Sequence, residues 1–347
     1  MVDRPTYADI ARHAGVSTAS VSRALSSTDG VSPEVAERVR RSAAALGYRG
    51  NRAARALRRQ RADAIGLVIS DVENPFFASI ARAVEGVAAR HGHAVLLCNT
   101  DEDLAQERRY LDLMMGESVA GVIAVPSVAQ LDPLLVLRDS GIPTVLVDRT
   151  VEGNPFDSVL VDHRQGAREL VQHLIGHGHR HIGVITGSTA ATSSADRLLG
   201  CRDAAEAAGV RLTVLQGQMK DAIGVESTFR LGERLLRRLM SSADRPTGIF
   251  CANNLLSLGV LRGLRTDRLR VPGDVALVGF DDEPVFELLE TPLTVAAQPV
   301  ERIGRQAANL LFRRIADPGR PPRQMVMHAD LKYRASCGCG EGAGDPA

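Results

Sequence analysis

Several polar side chains follow short apolar runs that have the pattern of buried strands. They are Asp148, Asp162, Arg197, Asn253 and Asp281. Open α/β sheets bind ligands in the crevice at the carboxyl ends of their strands, so we expect these side chains to share a cleft. An arginine donates hydrogen bonds in a planar fork, a carboxylate accepts them and an amide does both. Such a set suits vicinal hydroxyls, although each residue alone could also make a structural hydrogen bond at a strand end.

Two adjacent aromatic residues, Phe76 and Phe77, follow the first apolar run. An aromatic face suits the C–H face of a sugar or the plane of a base. We expect one of the two rings to pack in the core, and we favour Phe76 as the ligand contact.

Other groups of reactive side chains give weaker signals. Closely spaced histidines can bind zinc, and four occur at positions 173, 177, 179 and 181. However, His177 also suits a helix C-terminus, where a cation is favoured, and the terminal pair Cys337-Gly-Cys339 lacks partner ligands in the sequence. We therefore expect no metal and no cofactor. The pair Asp281-Asp282 has no accompanying nucleophile, and no Walker, Gly-x-Ser-x-Gly or dinucleotide-binding motif occurs. We therefore expect that the protein is not an enzyme.

Length and composition are those of a globular protein with two or three domains. The chain has 347 residues, of which 44% are hydrophobic and 24% charged. It has no apolar run long enough for a membrane helix, and its start has no apolar signal region. The five cysteines lie mostly in apolar runs. We expect a cytoplasmic protein with reduced thiols.

Charge is unevenly distributed along the chain. Residues 1–62 contain twelve arginines and five acidic residues, a net charge of +7, whereas the remainder carries −6. A basic head on a mildly acidic body fits a polyanionic partner bound by the head. A solvated helical face is the alternative on charge alone.

The start of the chain has the pattern of a helix–turn–helix. Thr6 can cap a first helix with Asp9 in the capping-box position, Gly15 provides a tight turn, and Ser17 caps a second helix, Thr18–Leu25. The second helix of such a motif enters the major groove of DNA. A generic helical hairpin is the alternative. The expected inward positions are Ile10, Ala11, Ala14, Val21 and Leu25.

A third helix and a basic segment follow. The helix begins at Ser32-Pro33 and ends at Gly47, with an expected inward stripe of Val35, Val39, Ala43 and Leu46. The basic segment, residues 51–59, is too short for a stable isolated helix in water. We expect it to be disordered alone and helical on DNA, the alternative being a flexible basic linker.

Beyond residue 63, short apolar runs alternate with amphipathic stretches. This alternation predicts parallel sheets covered by helices, in two lobes. The predicted strands are Ile65–Ile69, Ala94–Leu97, Gly121–Val125, Thr144–Val147, Val159–Val161, Ile182–Ile185, Gly248–Cys251, Val275–Val278 and Thr294–Ala296. The predicted helices are Phe77–Arg90, Gly166–Ile175, Arg197–Ala208 and Gly224–Met240.

These residues resemble the lactose-repressor (LacI/GalR) family of transcription regulators. In the head the resemblance is carried by Thr6-x-x-Asp9-Ile10-Ala11-x-x-Ala14-Gly15-Val16-Ser17-x-x-Ser20-Val21-Ser22-Arg23-x-Leu25. In the body it is carried by Asn74-Pro75-Phe76-Phe77, Gly178-His179-Arg180, Arg197-x-x-Gly200, Cys251-Ala252-Asn253, Val271-Pro272 and Gly279-Phe280-Asp281-Asp282.

The resemblance implies a fold class and a domain order. An N-terminal all-α helix–turn–helix DNA-binding domain spans residues 1–50, and a hinge helix spans 51–62. A C-terminal α/β two-lobed periplasmic-binding-protein-like sensor domain spans 63–340, with chain crossings near residues 162, 292 and 322. Residues 341–347 form a disordered tail.

The resemblance also implies which head residues contact DNA. Thr18, Ala19 and Arg23 face base edges, and the arginine fork can pair with a guanine. Thr6 and three serines are further expected DNA contacts: Ser17, Ser20 and Ser22. The serines are expected to contact phosphates, which position the protein on DNA without reading its sequence. In the hinge, a leucine wedges into a central base step and kinks the DNA. The hinge candidates are Leu57 with Asn51, Ala54 and Arg58.

For the effector cleft, the resemblance makes Arg197 and Asp281 the polar pair that grips the ligand. Ser193 and Met219 match further pocket-lining positions. Purine-sensing relatives have a basic residue where this chain has Ala191, and some relatives have a stacking aromatic at the position of Met219. These departures favour a sugar or sugar derivative over a purine.

The predicted function is therefore a repressor acting as a homodimer on a near-palindromic operator, with its DNA affinity controlled by the effector. Two rivals share parts of this pattern. A transport sugar-binding protein would have no use for the head, and a sugar-active enzyme would need a catalytic constellation that the sequence lacks.

Overall fold

The structure is a computed structural model that describes residues 5–26, 30–48, 62–218 and 224–339. The chain divides into two units, residues 1–62 and residues 63–347. Within the described ranges, no helix has both the length and the apolar character needed to cross a bilayer.

The first unit contains three helices, as the sequence predicts. They are α1 (Tyr7–Ala14), α2 (Thr18–Ser26) and α3 (Pro33–Ala45). At the start of α1 the capping box is complete, because Asp9 N donates to Thr6 Oγ1 and Thr6 N donates to the Asp9 carboxylate. Gly15 ends α1 in the left-handed region at φ 63°, and Ser17 Oγ accepts from Ser20 N at 3.1 Å to cap α2.

The core of this unit is formed mainly by small residues, which let the three helices approach closely. Its fully buried side chains are Ile10, Val21 and Val39, with Ala11, Ala14, Ala24, Ala36 and Ala43 between them. The predicted stripe of α3 was wrong in part. Val35 and Leu46 are only half-buried, whereas Ala36 and Ser42 face inward. Val35 and Leu46 pack against the edge of this core.

The second unit is a pair of α/β lobes. Its strands are β1 (Ala64–Ile69), β2 (Ala94–Asn99), β3 (Val122–Ala124), β4 (Thr144–Val147), β5 (Asp157–Val161), β6 (His181–Thr186), β7 (Arg211–Gln216), β8 (Gly248–Cys251), β9 (Ala276–Phe280), β10 (Thr294–Ala297), β11 (Gln324–Met327) and β12 (Asp330–Lys332). Its helices are α4 (Pro75–Arg90), α5 (Leu104–Gly116), α6 (Leu135–Asp139), α7 (His163–Gly176), α8 (Thr192–Ala208), α9 (Val225–Met240), α10 (Asn254–Thr266), α11 (Pro284–Glu287) and α12 (Val300–Ala316).

Each lobe is built on one six-stranded sheet. The first has the order β11-β5-β4-β3-β1-β2 with all strands parallel. The second has the order β12-β10-β9-β8-β6-β7, parallel except for the antiparallel edge strand β12. All nine predicted strands are confirmed, and with them the two-lobed α/β class. The three strands that were not predicted, β7, β11 and β12, lie at sheet edges, and apart from Met327 their residues are half-buried or exposed, so they lack the long apolar run of a strand buried on both faces.

The chain passes between the lobes three times. The first passage follows β5 at residue 162, where it was expected. The second lies between β10 and α12 and the third between β11 and β12, later than the expected positions near 292 and 322. Those two positions were wrong because β10 still pairs with β9 of the second sheet and β11 still pairs with β5 of the first.

Helices α7 and α8 pack against each other through a glycine. A Cβ atom added at Gly200 of α8 would lie 2.1 Å from the backbone oxygen of Arg164 in α7. Such a separation is far inside van der Waals contact, so no side chain fits. This close approach positions His163 and Arg197, which lie on the two helices.

We expect Gly200→Ala to lower the free energy of unfolding by about 1–3 kcal/mol, because the two helices must separate to admit a methyl group. The measurement is urea denaturation followed by circular dichroism. Gly86→Ala is the matched control, since this glycine of α4 has no atom within 4 Å of an added Cβ. It should be neutral or stabilising by up to about 1 kcal/mol. Equal effects of the two substitutions would contradict the packing argument.

Candidate effector site and DNA-binding surface

A polar cleft lies between the two lobes, at the carboxyl ends of their strands. It has about 850 Å³ of unfilled space, counting its open mouth, and both lobes contribute its walls. Asp148 directly follows β4 and Asp281 directly follows β9, and both have left-handed backbones, with φ of 65° and 71°. Few non-glycine residues adopt this conformation, and such residues cluster at ligand sites.

Arg197 and Asp281 are buried together in this cleft. Arg197 Nη1 lies 3.4 Å from Asp281 Oδ2 and donates to the backbone oxygen of Ala252 at 2.6 Å. The guanidinium also lies over the ring of Phe280, 3.9 Å from its centroid. Asp281 Oδ1 accepts a 2.6 Å hydrogen bond from Gln298. The arginine fork is thereby held in one orientation at the cleft wall.

Asp148 presents a buried carboxylate to the same cleft. Burial raises its pKa, but hydrogen bonding to His163 and the charges of Arg149 and Arg197 outweigh this and lower the pKa to about 2. His163 Nε2 lies 3.0 Å from the backbone oxygen of Asp148 and 3.4 Å from Oδ1. Among the residues that the structure describes, this long contact with His163 is the closest that Oδ1 makes to a donor, and Oδ1 has no hydrogen bond of good geometry. This ionised oxygen is therefore an acceptor available to a ligand hydroxyl.

A second ion pair, which sequence reasoning missed, lines the first-lobe side of the cleft. Arg149 donates to both carboxylate oxygens of Glu102, at 2.8 and 2.6 Å, and lies 6.0 Å from the ring centroid of Phe77. Arg149 could have been found from its position beside Asp148. Glu102 lies in a turn before α5 and gives no signal in the sequence.

Hydrogen bonds join the two lobes across the cleft. Asn254 Nδ2 donates to Asn74 Oδ1 of the first lobe at 3.0 Å, and within its own lobe it donates to Glu283 Oε1 at 2.7 Å. At the opposite side, Thr150 N donates to Thr192 Oγ1 at 3.0 Å. Asn254 therefore contacts the other lobe, and it does not line the cavity.

Six of the eight predicted effector residues come together in the cleft. They are Phe76, Asp148, Ser193, Arg197, Asn253 and Asp281. Asp162 does not line this cleft, and its carboxylate caps α7 by accepting from Gln165 N at 2.9 Å. Met219 lies outside the described residues. Phe76 and Phe77 share one environment: both are buried in the first-lobe core and both border the cavity.

The head exposes the face of α2 that was predicted to contact DNA. Thr18, Ala19 and Arg23 are exposed, whereas Val21 and Ala24 of the same helix are buried. Ser20 and Ser22 are half-buried on the same helix, Ser17 is exposed at its cap, and Thr6 is exposed at the start of α1. The hinge candidates Asn51, Ala54, Leu57 and Arg58, and the tail 341–347, lie outside the described residues.

The expectation that Cys337-x-Cys339 has no partner ligands was wrong. Helix α7 brings His173 and His177 to the two sulfurs, with ligand atoms of all four residues within 4.8 Å of one another. The sequence separation of about 160 residues concealed this contact.

A helix–turn–helix unit joined to a two-lobed domain with a polar interlobe cleft defines a class, the DNA-binding regulators with a periplasmic-binding-protein-like sensor. Comparison with known proteins agrees. Residues 6–51 match the model of bacterial regulatory proteins of the lacI family, and residues 171–337 match the periplasmic binding protein-like domain. The ribose operon repressor of Halalkalibacterium halodurans is 34% identical over 312 residues, which are 89% of this chain and 90% of the relative.

Solved structures give the same result. The complex of the transcriptional regulator CelR with cellobiose is 33% identical, with a TM-score of 0.68, covering 96% of this chain and 100% of that one. The lac repressor dimer bound to operator and the anti-inducer ONPF shares the fold, with a TM-score of 0.83 at 23% identity over 96% of this chain and 99% of that one. The chain belongs to the lacI family of bacterial regulatory proteins, and it is a DNA-binding transcriptional regulator.

Proposed function

We propose that this protein is a transcriptional repressor whose operator affinity is controlled by a sugar or sugar derivative bound between its two lobes. The observation that carries the proposal is the fixed donor and acceptor set of the cleft, the Arg197–Asp281 pair opposite the ionised Asp148. Two relatives support the ligand class, since one is named a ribose operon repressor and another is solved with cellobiose.

The chemistry of the cleft suits a polyhydroxylated ligand. A sugar hydroxyl donates one hydrogen bond and accepts others, so it can bridge a carboxylate and a guanidinium. Asn253 and Ser193 add further polar contacts, and the Phe76 ring offers an apolar wall for C–H groups. Ala191, also in the cavity lining, provides no charge for a purine.

In the head, we assign base reading to Thr18, Ala19 and Arg23, and phosphate contacts to Ser17, Ser20 and Ser22. The relative solved on its operator is a dimer, and we propose a homodimer on a near-palindromic site for this chain. The protein acts in the cytoplasm as a sensor and has no enzymatic activity of its own.

Control of DNA binding requires that the effector prefer one arrangement of the lobes. The interlobe hydrogen bonds, Asn74–Asn254 and Thr150–Thr192, are the contacts that a shift of one lobe against the other changes. Since the hinge, proposed for residues 51–62, precedes the first lobe directly in sequence, movement of that lobe would be transmitted to the hinges of the dimer.

The test is selection of fragments of the source organism's own DNA by the purified full chain at near-physiological salt, because salt sets the non-specific background. We expect recovery of a shared palindrome with a kinkable central step. The selection is repeated with a sugar panel that includes ribose and cellobiose. Recovery of no shared site under any of these conditions would contradict the proposal and favour a pure ligand-binding role.

A further inference from the structure

A second polar cluster lies away from the cleft, in the second lobe, at the C-terminal end of α7. His173 and His177 are four residues apart and therefore project from the same side of the helix end. The terminal segment places Cys337 and Cys339 against them. These residues have no role in the DNA-binding or effector-binding sites described above.

The separations are those of a metal-ligand set. Cys339 Sγ lies 3.0 Å from Cys337 Sγ, 3.2 Å from His173 Nε2 and 3.3 Å from His177 Nε2. With Zn–S near 2.3 Å and Zn–N near 2.0–2.1 Å, a tetrahedral site puts its ligand atoms about 3.3–3.8 Å apart. All four ligand atoms lie within 4.8 Å of one another, so shifts of an ångström or less would give this geometry.

We propose that His173, His177, Cys337 and Cys339 bind one zinc ion in a closed, tetrahedral, structural site. Two thiolates and two imidazoles are a ligand set typical of structural zinc, and thiolate disfavours the hard cations Mg²⁺ and Ca²⁺. Four protein ligands leave no open coordination position, so the site has no catalytic role.

The surrounding structure holds the ligands in place before any ion binds. Ser336 Oγ donates to the backbone oxygen of Leu277 at 2.6 Å and accepts from Thr294 N at 2.8 Å, which fixes the turn that carries Cys337. The ring of His173 packs on Tyr333, with 4.4 Å between centroids. Supporting contacts of this kind orient metal ligands and raise affinity.

The consequence of zinc binding is a crosslink between the end of α7 and the C-terminal segment. That segment follows β12, the edge strand that comes directly after the chain's third passage between the lobes. Zinc bound to the folded chain and not to the unfolded chain adds stability by mass action. The two sulfurs could instead be oxidised to a disulfide, which would need no histidine.

The first measurement is the zinc content of the full chain, purified without chelator, by inductively coupled plasma mass spectrometry. We expect about one zinc per chain. Replacement of the zinc by Co²⁺ should give the visible bands of a tetrahedral site and a thiolate-to-cobalt charge-transfer band. Cys339→Ser and His177→Ala should lower the zinc content and weaken these bands. His177 is exposed, so its replacement leaves the core intact.

Matched controls are Cys98→Ser and His328→Ala, which remove a cysteine and an exposed histidine outside the cluster. Both should keep one zinc. A chelator should lower the melting temperature of the wild type and of the controls, but not that of His177→Ala. The proposal would be overturned if the zinc content of the wild type were no higher than that of His177→Ala and its cobalt form showed no thiolate-to-cobalt band. So would a Cys337–Cys339 disulfide in freshly purified protein.

Discussion

Replacing Arg197 by alanine is expected to abolish the effector response while leaving operator binding in the absence of effector unchanged. The guanidinium is held by His163, Ala252 and Asp281 at the cleft wall. Among the described residues this leaves the two N–H groups of Nη2 to donate to a ligand. Hydrogen bonds to charged groups contribute about 1.5–3 kcal/mol each. Loss of two should weaken effector binding roughly 100-fold or more. The measurement is calorimetric titration with the sugar that best stabilises the wild type.

Two further variants separate the role of this arginine from a loss of folding. Arg197→Lys keeps the charge but loses the planar fork, so we expect a weakened but measurable response. Arg164→Ala removes an exposed arginine of α7 that pairs with Asp203 of α8. This variant should respond to the effector as the wild type does. If Arg197→Ala were folded and bound effector with wild-type affinity, the assignment of the cleft as the effector site would be wrong.

Replacing Arg23 by alanine is expected to have the largest effect on DNA recognition. Its side chain is exposed on α2, and an arginine paired with a guanine contributes about 1–3 kcal/mol of discrimination. A dimer loses two such contacts, one in each half-site, so operator affinity should fall by about 2–6 kcal/mol. Affinity for random DNA should change little. The measurement is fluorescence anisotropy with the selected operator and with a scrambled sequence of equal length.

The control for Arg23 is Arg40→Ala, which removes an exposed arginine of α3 that pairs with Glu37. Any loss it causes should be alike for operator and scrambled DNA, since a distant positive charge acts through the phosphates. Equal losses of both kinds of binding in Arg23→Ala would contradict base reading by this residue.

Most of the fold could be predicted from the sequence, because the local sequence patterns agree with how the helices and strands pack. The capping box of α1, the left-handed Gly15 and the buried apolar strands each have a physical reason that depends only on neighbouring residues. The edge strands β7, β11 and β12 give no such local signal, because half-exposed strands lack a long apolar run. The positions of the second and third passages between the lobes were predicted too early for a related reason. They depend on which strands pair, and strand pairing is a long-range property.

The effector cleft was predicted where its residues end strands, as Asp148 and Asp281 do. Asp162 also follows a strand, yet it caps a helix, and sequence alone does not separate these roles because both use a carboxylate as acceptor. Glu102 enters the site through an ion pair with Arg149, 47 positions away. The histidine–cysteine cluster was missed for the same reason, as its halves meet only after the chain has crossed between the lobes.

The most direct test of the central claim is the operator affinity of the wild type measured with and without a sugar that binds it. Binding of the sugar and of the operator must be coupled reciprocally if one protein state favours DNA. We predict that the sugar changes operator affinity by about 5- to 150-fold, the usual range of such coupling, and that Arg197→Ala removes this change. A sugar that binds the cleft but leaves operator affinity unchanged would contradict the account.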